Sequence, residues 1–402
     1  MASLNGISLA SYDGADAVRS VAMALSEAPR RSRTVSFHTE GWEAEVRAGS
    51  RFIVARTDQG IAADALLGEG IDAAHRALDL ISLLDGDALV MKSPESQNIT
   101  YHRPPAGRAI VSCHSSVDCK FDMSFEHTVV HEDGTVERPP SAPAPEWNVA
   151  YRFYRLSQSS RDMYEAYRNL FLGLEALLDH LFPKGRDERE KAWLVRAVAL
   201  AGARIDLAGI EPTGGTDRAR DVVDRIYGVR VKLFHAKTGR AIIPQDRNGY
   251  LEVASAYPVL LALWTEIVRF WLSPGRGGGV VTNAGFRLMV QSGYSTARIG
   301  INADLPPSET LRESDLELPW TQASLPVVIE DAGPGRMTLS GAFPTEQMSP
   351  DQRIGHVGIL GEDGAPLVAG GIPGGLQLDG CALEVAMTLN LRNSGSARTE
   401  FG

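Results

Sequence analysis

Two segments rich in proline or glycine interrupt this chain and limit what can fold as one piece. Residues Arg138–Pro145 read RPPSAPAP, a stiff stretch that cannot pair in a sheet. Residues Arg276–Val280 read RGGGV, which is typical of a flexible hinge. At 402 residues the chain is also long for a single hydrophobic core. We therefore predict three domains, at residues 1–145, 146–275 and 280–392.

The hydrophobic pattern changes at both interruptions. Before the first, short alternating runs predict strands, and the apolar spacing of Ile61–Leu84 predicts a helix. After the second, short apolar runs such as Arg287–Gln291 lie between Gly, Pro and Asp turns, which predicts strands only. Between them we predict four helices, the third with Thr216 as its N-cap: Tyr151–Phe182, Asp187–Ala203, the helix after Thr216, and Gly249–Leu272.

The predicted fold class is a multidomain α+β protein. It combines a mixed α+β N-terminal domain, a central four-helix bundle and a C-terminal β-rich domain. Short connections between successive helices are the reason for predicting a bundle.

Composition and charge restrict the class of protein. The net charge of −10 disfavours a nucleic-acid surface over the whole molecule, but residues 151–275 carry 19 Lys and Arg against 15 Asp and Glu. That small excess permits RNA binding without indicating it. Three cysteines argue against a disulfide scaffold, and no uninterrupted apolar run reaches the roughly 18 residues of a membrane span. The N-terminus also lacks the pattern of a signal peptide, so we expect a cytoplasmic protein without a membrane segment.

The stretch Asp217–Gly239 is the most informative for function. Arg230 lies about 100° around the predicted helix from its apolar stripe, and His235 lies about 140° further on. The two side chains would converge only if the last turn were loosened, or if two copies of the chain shared one cleft. The stripe itself consists of Val222, Ile226, Val229 and Leu233.

An arginine and a histidine at the end of one helix can cleave RNA without a metal, because RNA carries its own nucleophile in the 2′-OH. A histidine with a pKa near about 6.5 can take that proton or protonate the leaving 5′-oxygen. The arginine fork can hold the phosphate and stabilise the charge of the transition state. The expected product is a 2′,3′-cyclic phosphate.

Residues from about Tyr151 to Leu272 resemble a HEPN domain, particularly its Apea-like branch. The matching stretches are FLGLEALLDHLF at Phe171–Phe182 and RIYGVRVKLFHAKTG at Arg225–Gly239. The resemblance implies a HEPN-like four-helix bundle that dimerises and a metal-independent ribonuclease, as found in defence against phage or in toxin systems. It implies that Arg230 and His235 are the catalytic pair. It also matches Glu175 to the acidic position of the first helix, so we include Glu175 among the candidate catalytic residues.

A second hypothesis for the same residues is that the helices form a non-catalytic dimerisation, ligand-binding or RNA-binding module in a larger assembly. In that case Arg230 would pair with Asp224 or Glu175, and His235 would cap carbonyls at the helix end. The favoured hypothesis remains an endoribonuclease without a cofactor or metal. Its expected partners are RNA, a second copy of the chain, and a regulatory protein or ligand at the N- or C-terminal domain.

Three other groups of residues have weaker interpretations. The spacing of Cys113, His114, Cys119, His127 and His131 does not fit a standard zinc site. The glycine-rich Gly370–Gly375 lacks the Lys-Ser/Thr of a phosphate-binding loop. An aromatic group could stack on bases, but its helical spacing favours a core position: Tyr151, Phe153, Tyr154, Tyr164 and Tyr167.

Overall fold

The computed structural model divides the protein into two compact units. One unit combines Met1–Lys120 with Val281–Arg392, and the other contains Phe121–Val280. We call them the sheet unit and the helical unit. The structure describes residues 2–12, 15–16, 19–37, 40–92, 96–121, 129–137, 146–160, 162–212, 215–234, 241–242, 247–272, 281, 283–303, 320–333, 335–348 and 352–393.

The first large sheet of the sheet unit contains strands from both ends of the chain. Its six strands are antiparallel, and β1 pairs with β18 through Ala2↔Leu378 to Leu4↔Leu376. Asn5 and Gly6 turn the chain between β1 and β2 with φ of 48° and 80°, the left-handed values of a two-residue hairpin. In sheet order the strands are β14 (Thr321–Pro326), β13 (Arg298–Asn302), β17 (Arg353–Leu360), β18 (Pro366–Leu378), β1 (Ala2–Leu4) and β2 (Ile7–Ser8).

The second large sheet has nine described strands. It also contains strands from both halves of the chain, because β19 lies beside β10. In sheet order its strands are β15 (Val328–Gly333), β16 (Arg336–Phe343), β19 (Ala382–Asn393), β10 (Ile110–Phe121), β9 (Gln97–His102), β5 (Arg19–Ala24), β8 (Phe52–Thr57), β7 (Trp42–Val46) and β6 (Arg33–Phe37). Two short hairpins stand apart from both sheets: β3 (Ser11–Tyr12) with β4 (Ala15–Asp16), and β11 (Val129–Val130) with β12 (Val136–Glu137).

Helix α1 (Ala63–Asp85) covers part of the nine-stranded sheet. Its buried face packs on alternate residues of β5, β7 and β8, including Val21, Ala44 and Ile53. Alternate residues of a strand point to one side of a sheet, so these three share the face that α1 covers. A second helix, α8 (Asn283–Gly293), buries Phe286 and Val290, which lie one helical turn apart.

The helical unit contains six helices among its described residues. Side chains of Asn148, Asp162 and Asp206 accept the backbone N–H two residues on and so cap three of these helices. A π-helical turn, Val268–Leu272, extends the last helix. The helices are α2 (Val149–Ser159), α3 (Met163–Leu181), α4 (Glu190–Ala201), α5 (Leu207–Ile210), α6 (Arg218–Phe234) and α7 (Arg247–Ile267).

One continuous core holds the helical unit together. Four large side chains of this core, all from α3 and α7, are at most 1% exposed: Tyr167, Phe171, Tyr257 and Trp264. The segment Leu251–Leu272 is apolar and long enough to span a membrane. An 18-residue window within it has a mean hydropathy of 1.4, and half of that window is buried inside the protein. It is the one such helix in the described part of the chain. Its contribution to this core is consistent with a soluble protein.

The predicted fold class is wrong. The N- and C-terminal segments do not form separate α+β and all-β domains, since both large sheets contain strands from each. Pairing between strands so far apart leaves no local signature in the sequence. The predicted all-β region also contains α8, where Arg287–Gln291 had the pattern of a strand. The described residues form eight α-helices beside two extensive sheets, which does not fit a protein organised around a central four-helix bundle.

The single helix predicted over Tyr151–Phe182 is in fact two helices, α2 and α3. Ser160 has extended backbone with φ −71° and ψ 138°, which ends α2. Asp162 then starts α3 by accepting the N–H of Tyr164 at 3.0 Å. Apolar spacing continues across this break, so periodicity alone could not separate the two helices. A similar shift places Asp217, rather than Thr216, before the first residue of α6, where it accepts the N–H of Arg220 at 3.2 Å.

Candidate functional site

Helix α6 positions Arg230 through its apolar stripe. Val222 and Ile226 are completely buried and Val229 is 3% exposed, which fixes the rotation of the helix against the core of the helical unit. Leu233 packs against the same core while partly buried. Arg230 follows Val229 and therefore leaves the helix beside the core rather than into it.

The Arg230 side chain lies between carboxylates and aromatic rings. Its Nη2 atom is 2.9 Å from Oε1 of Glu190 and 4.0 Å from Oε1 of Glu175. Its guanidinium carbon lies 4.9 Å from the ring centre of Phe234 and 5.6 Å from that of Tyr227. Only 18% of the side chain is exposed. The Nε atom is buried and has no hydrogen-bond acceptor among the described residues.

Glu175 and Glu190 form an acidic pair beside this arginine. Burial raises the pKa of Glu175 to about 8, with a further contribution from its hydrogen bond to Glu190 and from repulsion by that carboxylate. The positive charge of Arg230 acts in the opposite direction. Near neutral pH, Glu175 is therefore mostly protonated. Burial, reinforced by the charge of Glu190, also raises the pKa of the Tyr227 hydroxyl.

Two facing stripes on α3 and α6 build the site. Arg168, Phe171 and Glu175 lie at i, i+3 and i+7 on α3, and Tyr227, Arg230 and Phe234 have the same spacing on α6. The contacts between them follow an antiparallel order: the Arg168 guanidinium lies over the Phe234 ring, and the ring centres of Phe171 and Tyr227 are 6.5 Å apart. Glu190, the first residue of α4, closes one end of this cluster.

His235 lies outside the described residues, directly after Phe234 at the end of α6. The convergence of Arg230 and His235 consequently stays a prediction. Arg230 and Glu175 are brought together, as the sequence analysis considered. Asp224 takes no part, because it pairs with Lys191 at 2.8 Å.

The sequence did not identify Glu190 and Tyr227 as site residues, nor Arg168, Phe171 and Phe234, which belong to the same cluster. Tyr227 precedes Arg230 by three positions, so helical spacing was a usable signal for it. Glu190 comes from another helix, and no local pattern connects it to Arg230. Its position as the first residue of α4 only indicates an acidic group favoured at a helix N-terminus.

The other candidate residues do not form a metal or phosphate site in the described part of the chain. Cys113 is buried, and burial raises the pKa of its thiol to about 12. His114 contacts the Thr388 hydroxyl at 3.0 Å through Nε2. His131 is exposed, and His127 lies outside the described residues. Among the described residues no group of three or more His, Cys, Asp or Glu could hold a metal ion.

The remaining two candidates have structural positions. Gly370–Gly375 lies within strand β18 rather than in a loop before a helix. Tyr164 and Tyr167 are buried in the helical core, with 3% and 0% of their surface exposed. The ring of Tyr154 stacks on that of Trp264, with their centres 4.1 Å apart.

No known protein family, curated protein or solved structure gives a significant match to this chain. The functional argument therefore depends on the residues around Arg230 and on the sequence that follows them.

Proposed function

We propose that this protein is a metal-independent endoribonuclease of HEPN type that acts at Arg230 and His235. The observation that carries the proposal is the fixed position of the Arg230 guanidinium, five residues before His235 in the sequence. Aromatic rings and the Glu190 carboxylate hold it beside the surface of the helical unit. The similarity of Phe171–Phe182 and Arg225–Gly239 to HEPN sequences supports the same residues.

In the proposed reaction the 2′-oxygen of a ribose attacks the adjacent phosphorus and the bond from phosphorus to the 5′-oxygen breaks. His235 accepts the 2′-OH proton or donates a proton to the leaving 5′-oxygen. Arg230 stabilises the extra negative charge on the phosphoryl oxygens. The products are a 2′,3′-cyclic phosphate and a 5′-hydroxyl.

Glu175 and Glu190 would act through Arg230 rather than on the substrate. A guanidinium on a flexible stem must be held in one orientation before it can favour a transition state. The contact of 2.9 Å from Glu190 provides that support, while a protonated Glu175 adds no second negative charge to compete with phosphate. Glu175 is therefore a positioning residue in this proposal.

The test is RNA cleavage in EDTA by wild type, Arg230→Ala and His235→Ala. We expect wild type to produce 2′,3′-cyclic ends and each variant to lose about 100-fold or more in rate. Arg220→Ala is the matched control, since Arg220 lies on the same helix and forms an exposed ion pair with Asp217. Equal cleavage by all four proteins, or none by wild type, would remove the proposal.

A non-catalytic binding or assembly module is the second candidate function. The ion pair between Arg230 and Glu190 favours it, because a guanidinium already bound to a carboxylate needs no substrate to explain its position. This module would have no cleavage activity. Its Arg230→Ala variant would lose stability, since removing one partner of a partly buried ion pair leaves the other charge uncompensated.

We also propose a cytoplasmic setting, a homodimer formed through the helical unit, and a role in phage defence or a toxin-like system. Free thiols at Cys113, Cys119 and Cys381 support a reducing compartment. The dimer and the biological role are supported by the HEPN resemblance. A regulatory protein or ligand would then act at the sheet unit.

A further inference from the structure

A second arginine, Arg168, contacts the same aromatic ring as Arg230. The guanidinium carbon of Arg168 is 5.1 Å from the ring centre of Phe234, and that of Arg230 is 4.9 Å from the same centre. Both cations therefore contact one aromatic ring, the ring directly before His235. Their guanidinium carbons are at most about 10 Å apart, a distance covered by about three of the 3.4 Å axial repeats between phosphates of one strand, so both can reach phosphates of the same short segment.

The two arginine side chains differ in solvent exposure and in the exposure of their ion-pair partners. Arg230 is 18% exposed and lies against Glu190. Arg168 is 46% exposed, and its partner Glu165, at 2.6 Å, is 50% exposed. Exposed ion pairs of this kind contribute little stability, because solvent and salt screen them. A phosphate could therefore replace Glu165 at low cost, whereas Arg230 stays fixed.

The charges along the two stripes run in one direction. The acidic pair Glu175 and Glu190 lies at one end and Arg168 lies at the other, and the Phe234 ring contacts both Arg168 and Arg230. The first end has no net charge near pH 7, because Glu175 is protonated and Glu190 pairs with Arg230. The exposed guanidinium of Arg168 is therefore the group that attracts a polyanion. The backbone of a bound RNA would consequently leave the site past Arg168.

We propose that Arg168 binds a backbone phosphate of the RNA next to the one held by Arg230, and so positions the strand for cleavage. This inference rests on the proposed function. The contact is to phosphate and not to a base edge, because Arg168 is exposed and Phe234 already occupies one face of its guanidinium. Arg168 therefore contributes affinity without sequence preference.

The experiment measures binding apart from cleavage. The His235→Ala protein is titrated into a fluorescein-labelled single-stranded RNA. The affinity for this RNA is measured by fluorescence anisotropy at a series of salt concentrations. Arg168→Ala, Arg168→Lys and Arg220→Ala are added to this background. Arg220 is the matched control, since it also forms an exposed i, i+3 ion pair in the helical unit.

We expect Arg168→Ala to weaken binding of two unrelated RNA sequences equally and to reduce the salt slope of log affinity by about 0.7. Arg168→Lys should keep the slope, and Arg220→Ala should leave both quantities unchanged. A purely structural role for Arg168 would not change the slope. If Arg168→Ala and Arg220→Ala behave alike while RNA still binds, the inference is overturned and the ribonuclease proposal stands. If no RNA binds and wild type does not cleave, both fail.

Discussion

Solvent reaches only 18% of the Arg230 side chain. Two carboxyl groups approach it, and two ionised carboxylates would leave the cluster with a net negative charge. The raised pKa of Glu175 avoids this, because a proton stays on Glu175 while Glu190 forms the close ion pair. The cluster is then neutral near pH 7, which reduces the cost of burying it.

This arrangement predicts how pH affects stability. The folded-state pKa of Glu175, about 8, lies above the unfolded value of about 4.3, so the folded protein binds more protons between these values. The contribution of Glu175 to the free energy of unfolding must therefore fall as pH rises through this window. We expect Glu175→Gln, which keeps the shape of the protonated carboxyl, to flatten the decline between about pH 5 and pH 8. Urea unfolding at a series of pH values, followed by tryptophan fluorescence, measures the free energy of unfolding of both proteins.

Glu165→Gln provides the control for this measurement. Glu165 lies on the same helix but is 50% exposed, so its replacement should leave the pH profile close to that of wild type. An unchanged profile in Glu175→Gln as well would mean that Glu175 is ionised in the folded protein. The account of a protonated, positioning Glu175 would then be wrong.

At the scale of single elements, helix α1 has one position where helix propensity and packing oppose each other. A Cβ atom at Gly70 would lie 2.6 Å from Cγ2 of Val21 and 3.4 Å from Cη2 of Trp42. Alanine improves helix propensity by about 1 kcal/mol, whereas overpacking a core costs about 1–3 kcal/mol. We expect Gly70→Ala to lower the free energy of unfolding of the sheet unit.

Gly228 in α6 is the matched case without a packing conflict. Apart from its chain neighbours and the adjacent backbone of α6, no atom of the described residues lies within 4 Å of a Cβ built there. Gly228→Ala should therefore raise the free energy of unfolding of the helical unit by about 0.5–1 kcal/mol. Denaturant midpoints for both variants test the pair. If both substitutions raise the free energy of unfolding, the proposed close packing of Gly70 against Val21 is wrong.

Local patterns predicted some elements well and others not at all. The apolar spacing of Ile61–Leu84 corresponds to α1, Ala63–Asp85, because a long amphipathic helix repeats its signal many times. The short helix α8 buries only Phe286 and Val290, which is too few positions to distinguish it from a strand. For the candidate site, spacing within one helix pointed to Arg230. Glu190 could not be found, since its contact with Arg230 depends on how α4 and α6 pack.

At the scale of the whole molecule, the sheet unit is discontinuous in sequence. Strand β1 lies between β2 and β18, and β10 lies between β9 and β19. The pairing Ala2↔Leu378 joins residues from opposite ends of the chain. Composition and hydrophobic period describe each strand alone and contain no information on its partner. For this reason the two Pro- or Gly-rich segments led to a prediction of three separate domains.

The shared sheets make a prediction about fragments. Residues 1–145 alone would leave β1 without β18 and β10 without β19, so two strands would present unpaired backbone N–H and C=O groups. The completely buried Leu4 would also lose its packing partners in β18. We expect this fragment to aggregate or to unfold without cooperativity, as measured by urea titration and NMR amide dispersion. Coexpression with residues 281–393 should restore a soluble, cooperatively unfolding complex. A well-dispersed spectrum from residues 1–145 alone would instead support an independent N-terminal domain.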